Sequence, residues 1–225
     1  MPFVESAHTG SLFYAETRRS PSVPTVLLLH GVGGCHRDFD SLVATLAESY
    51  RVLALDWPGC GDSAAPRPAS SASAALWLAV LEDFVRTMGI ENAFVLGVGV
   101  GGYAATVLAA RHKQAVRALV LANPTGFKAK SSFAFLSRAV SRVTKGTYAG
   151  ARLLQTSAIR NDPAAVQRRR EAASDPSKTA VTAGLWRSII DPSHNAYQQA
   201  NEITVPTLLI WGRNDAVRLY PSSSI

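Results

Sequence analysis

The chain has 225 residues, 47% of them apolar, with ordinary Gly and Pro content, which is enough for one α/β domain carrying an insertion and a sizeable core. Its two cysteines, Cys35 and Cys60, stand beside glycines with no second Cys or His at metal-ligand spacing, so they read as free thiols rather than a disulfide framework, and no metal site is expected. No apolar run reaches the roughly 20 residues that span a bilayer, and the N-terminus lacks the basic start and apolar centre of a secretory signal; the expectation is a cytoplasmic protein without a transmembrane segment.

From the N-terminus, "SLFYAET" alternates like a strand and is expected to pair as a hairpin with the stretch Phe3–Ser6. Then come "PTVLLLHG", "YRVLALDWPG", "AFVLG", "VRALVLAN" and "VPTLLIWG", short continuous apolar runs each ending in Gly, Asn or Asp. Such runs suit strands buried on both faces of a parallel sheet. Amphipathic stretches at 38–48, 72–88 and 103–113 fall between them. The alternation predicts a doubly wound, mostly parallel α/β sheet.

Residues 127–201 break the rhythm: the segment is helix-prone and cut at Asp162-Pro163, Asp175-Pro176 and Asp191-Pro192. A residue before proline is pushed out of the α region, so these dipeptides mark helix boundaries. The expected division is a core sheet at 1–126, a helical insertion at 127–201 and a return to the sheet at 202–225. The net charge of +7 is concentrated in the insertion, where residues 127–195 hold twelve Lys and Arg against four Asp and Glu. This block, including Arg168, Arg169 and Arg170, is either a solvated helical face or a surface for an anionic partner. Aromatic residues are not interleaved with the charges and no nucleic-acid module is recognisable, so no nucleic-acid partner is expected. The implied partner is a small-molecule ligand, an anionic one on the second reading, which also leaves room for peripheral contact with an anionic membrane.

The stretch "FVLGVGVGG" carries the chemistry. Gly97, Gly99 and Gly102 fit the G-x-G-x-x-G of a dinucleotide loop, and Gly97, Gly99 and Gly101 fit a G-x-S-x-G turn with glycine at its centre. A dinucleotide unit needs an acidic residue closing the next strand, but that strand ends at Ala122 and Asn123, and the next charge is Lys128. The glycine run also follows the fifth strand rather than the first, so no nucleotide cofactor is expected, nor any other.

Three strand-end loops occur in order: His30-Gly31-Val32-Gly33-Gly34, then Asp56-Trp57-Pro58-Gly59-Cys60-Gly61-Asp62-Ser63, then the glycine run. Their order and spacing over nearly the whole chain resemble the α/β-hydrolase superfamily, which carries H-G-x-G, D-x-P-G-x-G-x-S and G-x-S-x-G-G loops. The resemblance implies an α/β-hydrolase fold with a helical cap, descended from serine hydrolases acting on esters or similar carbonyl compounds (esterase, lipase or carbon–carbon hydrolase). It puts Gly99 at the nucleophile position, where no hydroxyl remains to attack, and backbone oxyanion donors at Val100 and at Val32 or Gly33. It places Asp215, in "WGRND", as the catalytic acid, an aspartate that local chemistry would otherwise read as a turn or helix cap. The family's histidine lies beyond one more strand, whereas the chain stops at Ile225, so the resemblance also implies a truncated chain without the last strand and helix. Of the five histidines, His30 belongs to its loop's backbone bonding, His8, His36 and His112 have no motif, and only His194 in the insertion is a candidate to reach the site. The combined expectation is a catalytically impaired hydrolase, or else a non-catalytic binding protein using the same pocket. A third expectation, an enzyme with another nucleophile, rests on Cys60 and Ser63 by residue type alone.

Overall fold

A computed structural model describes residues 3–17, 23–127 and 162–212. Seven strands, β1 (Phe3–Ser6), β2 (Gly10–Glu16), β3 (Thr25–Leu29), β4 (Arg51–Leu55), β5 (Ala93–Val98), β6 (Val116–Ala122) and β7 (Thr207–Ile210), form one sheet in the order β1-β2-β4-β3-β5-β6-β7. The β1–β2 hairpin and the β2–β4 pair are antiparallel, and every other pair is parallel. The expected mostly parallel α/β sheet is therefore present, with the hairpin on its flank.

Continuous apolar strands work here because both faces are covered. Leu27, Leu29, Leu53, Leu55 and Val95 point into one core, shared with α2 (Ala74–Thr87) and α3 (Val100–Arg111). Val26, Leu28, Val52 and Ala54 point into a second core against Leu42, Val43 and Leu46 of α1 (Asp40–Leu46). Each fully buried leucine contributes about 1.5–3 kcal/mol. Helix α3 departs from expectation: it begins at Val100, directly after Gly99, and buries ten of its twelve residues instead of one face. It runs between the sheet and its neighbours, so apolar periodicity carries little signal there.

The insertion supplies α4 (Pro163–Ser174), α5 (Pro176–Ile190) and α6 (Tyr197–Asn201) between β6 and β7. Its Asp-Pro boundaries hold. The Asp162 carboxylate accepts from Ala165 N–H at 2.9 Å to cap α4, and the Asp175 carboxylate accepts from Ser177 and Lys178 N–H to cap α5, each with proline in the first turn. Strand β7 differs from its sequence reading. Leu208, Leu209 and Ile210 are 56%, 43% and 49% exposed, because β7 is the last of the described strands and has a neighbour only in β6. Residues 128–161 of the insertion and the end of the chain from 213 lie outside the described residues.

Candidate functional site

The loops that matter all leave the carboxyl ends of parallel strands, where open α/β sheets hold their ligands. Gly99 caps α3 with φ 60° and ψ −117°, a conformation that side-chain-bearing residues rarely adopt. The glycines beside it are there for space. A Cβ on Gly97 would lie 2.5 Å from the Gly101 carbonyl oxygen and 2.6 Å from Gly102 Cα, and one on Gly101 would lie 2.4 Å from the Leu29 oxygen. The turn is thus clamped between β3 and α3, and loop 30–34 lies close against it, since a Cβ on Gly31 would come 3.4 Å from Val98 O. Of the residues expected to carry oxyanion donors, Val100 opens α3, where N–H groups have no intrahelical acceptor, and Val32 and Gly33 (φ 73°) lie in the loop that follows β3. Asp215 lies outside the described residues. Its approach is held, since Asn123 N–H donates to Ile210 O and Gly212 N–H donates to Asn123 Oδ1, both at 2.9 Å.

Two residues fix the loops around this turn. His30 is 1% exposed; its Nδ1–H donates to Gly31 O at 2.8 Å while Nε2 accepts from Trp57 N–H at 3.3 Å. Burial pushes its pKa down and keeps the ring neutral, as these bonds require. Asp56 is fully buried, which by itself would raise its pKa. Hydrogen bonds from the His36 ring at 2.8 Å and from Asp62 and His36 N–H reverse that and hold it below the usual carboxylate range. Both residues are structural, as expected for His30.

Cys35, His36 and Asp56 bring donor atoms within 4.8 Å of one another, the group of described residues best placed to hold a metal ion. Sequence spacing did not show it because the aspartate comes from a second loop, 20 residues away. The Asp56 oxygens already accept bonds from His36 and Asp62, so the cluster is accounted for as loop structure.

The alternative nucleophiles fare poorly. Burial pushes the Cys60 thiol pKa up, disfavouring the thiolate that reacts. Ser63 donates its hydroxyl to Asp56 O at 2.7 Å and accepts from Phe13 N–H at 2.8 Å, so its oxygen ties this loop to β2.

Among the described residues of the insertion, four basic side chains turn onto the core. Arg168 and Arg169 donate to the two Asp38 carboxylate oxygens at 3.0 and 3.3 Å, and Arg169 Nε also donates to Gly33 O at 3.2 Å. Lys178 donates to Gly61 O and Arg187 to Ser70 O, both at 3.1 Å. Arg170 is exposed. The described part of the positive block therefore serves in large measure as a docking surface between insertion and core loops, a use that composition did not suggest.

His194 does reach the elbow. It is 4% exposed, stacks against Tyr103 of α3 with ring centroids 4.1 Å apart, and sets Nε2 2.9 Å from Thr125 Oγ1. Thr125, which the sequence did not flag, bonds Gly99 O through its N–H at 2.9 Å and its hydroxyl at 3.5 Å. Since a trans peptide points its C=O and N–H in opposite directions, Thr125 and His194 grip the back of the peptide whose front carries Val100 N–H. Their contacts are with the carbonyl side of that peptide.

Known proteins sharpen the assignment. The sequence profile described as alpha/beta hydrolase fold matches residues 24–218. Over 110 residues the chain is 37% identical to the dihydrolipoyllysine-residue acetyltransferase component of an acetoin cleaving system from Cupriavidus necator, a match covering 49% of this chain and 29% of that protein. Over 100 residues it is 39% identical to a pimeloyl-[acyl-carrier protein] methyl ester esterase of Neisseria meningitidis, covering 44% of this chain and 36% of the esterase. The chain thus spans well under half of these relatives. Among solved structures it resembles a bacterial membrane phospholipase A (TM-score 0.80, 27% identity, 98% of this chain and 72% of that one). It also shares the fold of the enol-lactonase of Burkholderia xenovorans (TM-score 0.73, 23% identity, 94% and 81%). With the profile covering most of its length and the loops arranged as described, the chain belongs to the alpha/beta hydrolase fold family.

Proposed function

We propose that this chain is related to serine hydrolases acting on ester or similar carbonyl substrates but is itself impaired in triad hydrolysis, and that its site binds a small carbonyl-bearing or anionic ligand. The observation that carries this is Gly99: the turn keeps the strained φ of 60° and the flanking glycines while offering no side-chain oxygen. The amides of Val100 and of Val32 or Gly33 do not depend on the lost side chain, so a carbonyl or carboxylate oxygen retains its donors. Asp215, as the acid member, would have nothing to orient toward Gly99. A purely non-catalytic binding protein is the second reading, favoured by the same survival of backbone donors without a nucleophile.

A fluorophosphonate probe and a short-chain p-nitrophenyl ester test it. The expected result is no labelled serine and no turnover above buffer, with hexanoate raising the melting temperature in a concentration-dependent way. Covalent labelling of any serine in the unmodified chain would overturn the impaired reading. Turnover gained by Gly99→Ser would favour a lapsed hydrolase over the dedicated binding protein.

A further inference from the structure

The contacts behind the elbow form a directed path. His194 Nε2 lies 2.9 Å from Thr125 Oγ1, that hydroxyl lies 3.5 Å from Gly99 O, and the opposite side of the Gly99 peptide is Val100 N–H. All three residues sit in a dry setting, since Thr125 is 5%, His194 4% and Val100 0% exposed. With a proton on Nε2, the ring donates to the hydroxyl, the hydroxyl donates to the carbonyl, and the peptide behind Val100 N–H is polarised in the sense that strengthens that donor. With Nε2 bare, the hydroxyl proton turns toward the ring and the carbonyl loses it, keeping only the backbone bonds from Thr125 and Tyr103 at 2.9 and 3.2 Å.

We infer that His194 and Thr125 are positioning residues, which orient and polarise the Val100 amide from behind and so let the insertion set how strongly the elbow holds an oxyanion or carboxylate. His194 comes from the insertion, 69 residues from Thr125. Its placement is fixed from both sides: its ring packs on Tyr103, and Ala196 N–H donates to Gly126 O at 3.1 Å. A shift of this part of the insertion therefore reaches the elbow through one hydroxyl. The inference rests on the proposed binding of an anionic or carbonyl group at the elbow.

The test uses Thr125→Val, which keeps the shape and the backbone N–H bond but removes the hydroxyl, alongside Thr125→Ser, His194→Ala and His194→Gln. Hexanoate affinity by calorimetry is read together with the Val100 amide nitrogen shift in ligand-free protein. Thr125→Val and His194→Ala should each weaken hexanoate by up to about twofold, because each removes polarisation behind the donor and leaves the Val100 N–H bond to the ligand in place. The double variant should be no worse than either single one, because both cut the same path. Thr125→Ser and His194→Gln should restore affinity, and the Val100 shift should move in the first pair and return in the second. Additive losses, or a Val100 resonance unmoved by Thr125→Val, would overturn the inference. Failure of the unmodified protein to bind hexanoate would count against the proposed function instead, with the Val100 shift still deciding whether the path exists.

Discussion

Gly101→Ala tests how tightly the elbow is clamped. The added Cβ would meet the Leu29 carbonyl oxygen at 2.4 Å and the His30 oxygen at 2.8 Å. Ordinary carbon–oxygen contacts begin near about 3.3 Å, so roughly 0.9 Å must be found. Strand β3 cannot yield it, being bonded to β4 on one side and β5 on the other. Helix α3 must lift instead, and a gap of that size forfeits about a quarter to a half of the dispersion energy along its buried face. Overpacking of this kind costs about 3 kcal/mol at the upper end of its range, offset by about 1 kcal/mol of improved helix propensity. The net loss of about 2 kcal/mol should lower the melting temperature by about 4–8 °C for a chain of this size. Urea unfolding followed through the stacked Trp57 and Trp77 indoles, 4.9 Å apart, would read it. Gly89→Ala is the control: φ is +58° there but nothing lies within 4 Å of the new methyl, so only backbone strain of about 1 kcal/mol is expected. If Gly101→Ala proves no more damaging than Gly89→Ala, the close approach of α3 to β3 is refuted.

The buried His30 predicts acid sensitivity. Its pKa in the folded chain lies below the ordinary 6.5, so the unfolded chain takes up a proton first as pH falls. This contribution is complete above about 6.5 and declines below it, by at most about 1.4 kcal/mol per pH unit. The His30 ring should remain neutral by NMR at pH 6.5, and a half-protonated ring there would contradict the assignment. Below the ordinary carboxylate range Asp56, held low, adds a second loss of the same sign. Asp38→Asn should loosen α4, because two partly buried guanidinium groups lose their charged partner at a cost of about 1–3 kcal/mol. Faster tryptic cleavage at Arg168–Arg170 would report it, and an unchanged rate would show that the pairs do not hold the helix.

Features set by neighbouring residues were legible in the sequence. Aspartates 162 and 175 mark helix starts because each cap reaches only two or three residues along the chain. The loops after β3, β4 and β5 were legible because each is a local strand-to-turn transition. What stayed hidden depends on distant partners. Asp38 meets arginines some 130 residues on, and Thr125 has no local signal that His194 will find it. Likewise the apolar run of β7 says "strand" but not that it stands last among the described strands. The glycine run was legible as an elbow, since only backbone crowding, visible at Gly97 and Gly101, makes such a spacing useful.

The way the insertion grips the core has an evolutionary reach. Arg169, Lys178 and Arg187 all take hold of main-chain carbonyls, at Gly33, Gly61 and Ser70. A carbonyl is offered by every amino acid, so most replacements in those loops that keep the backbone path leave the attachment intact. Ligand preference can therefore drift by mutation in the loops while the covering helices stay docked, and the covering helices can be exchanged as a unit without rewriting the loops.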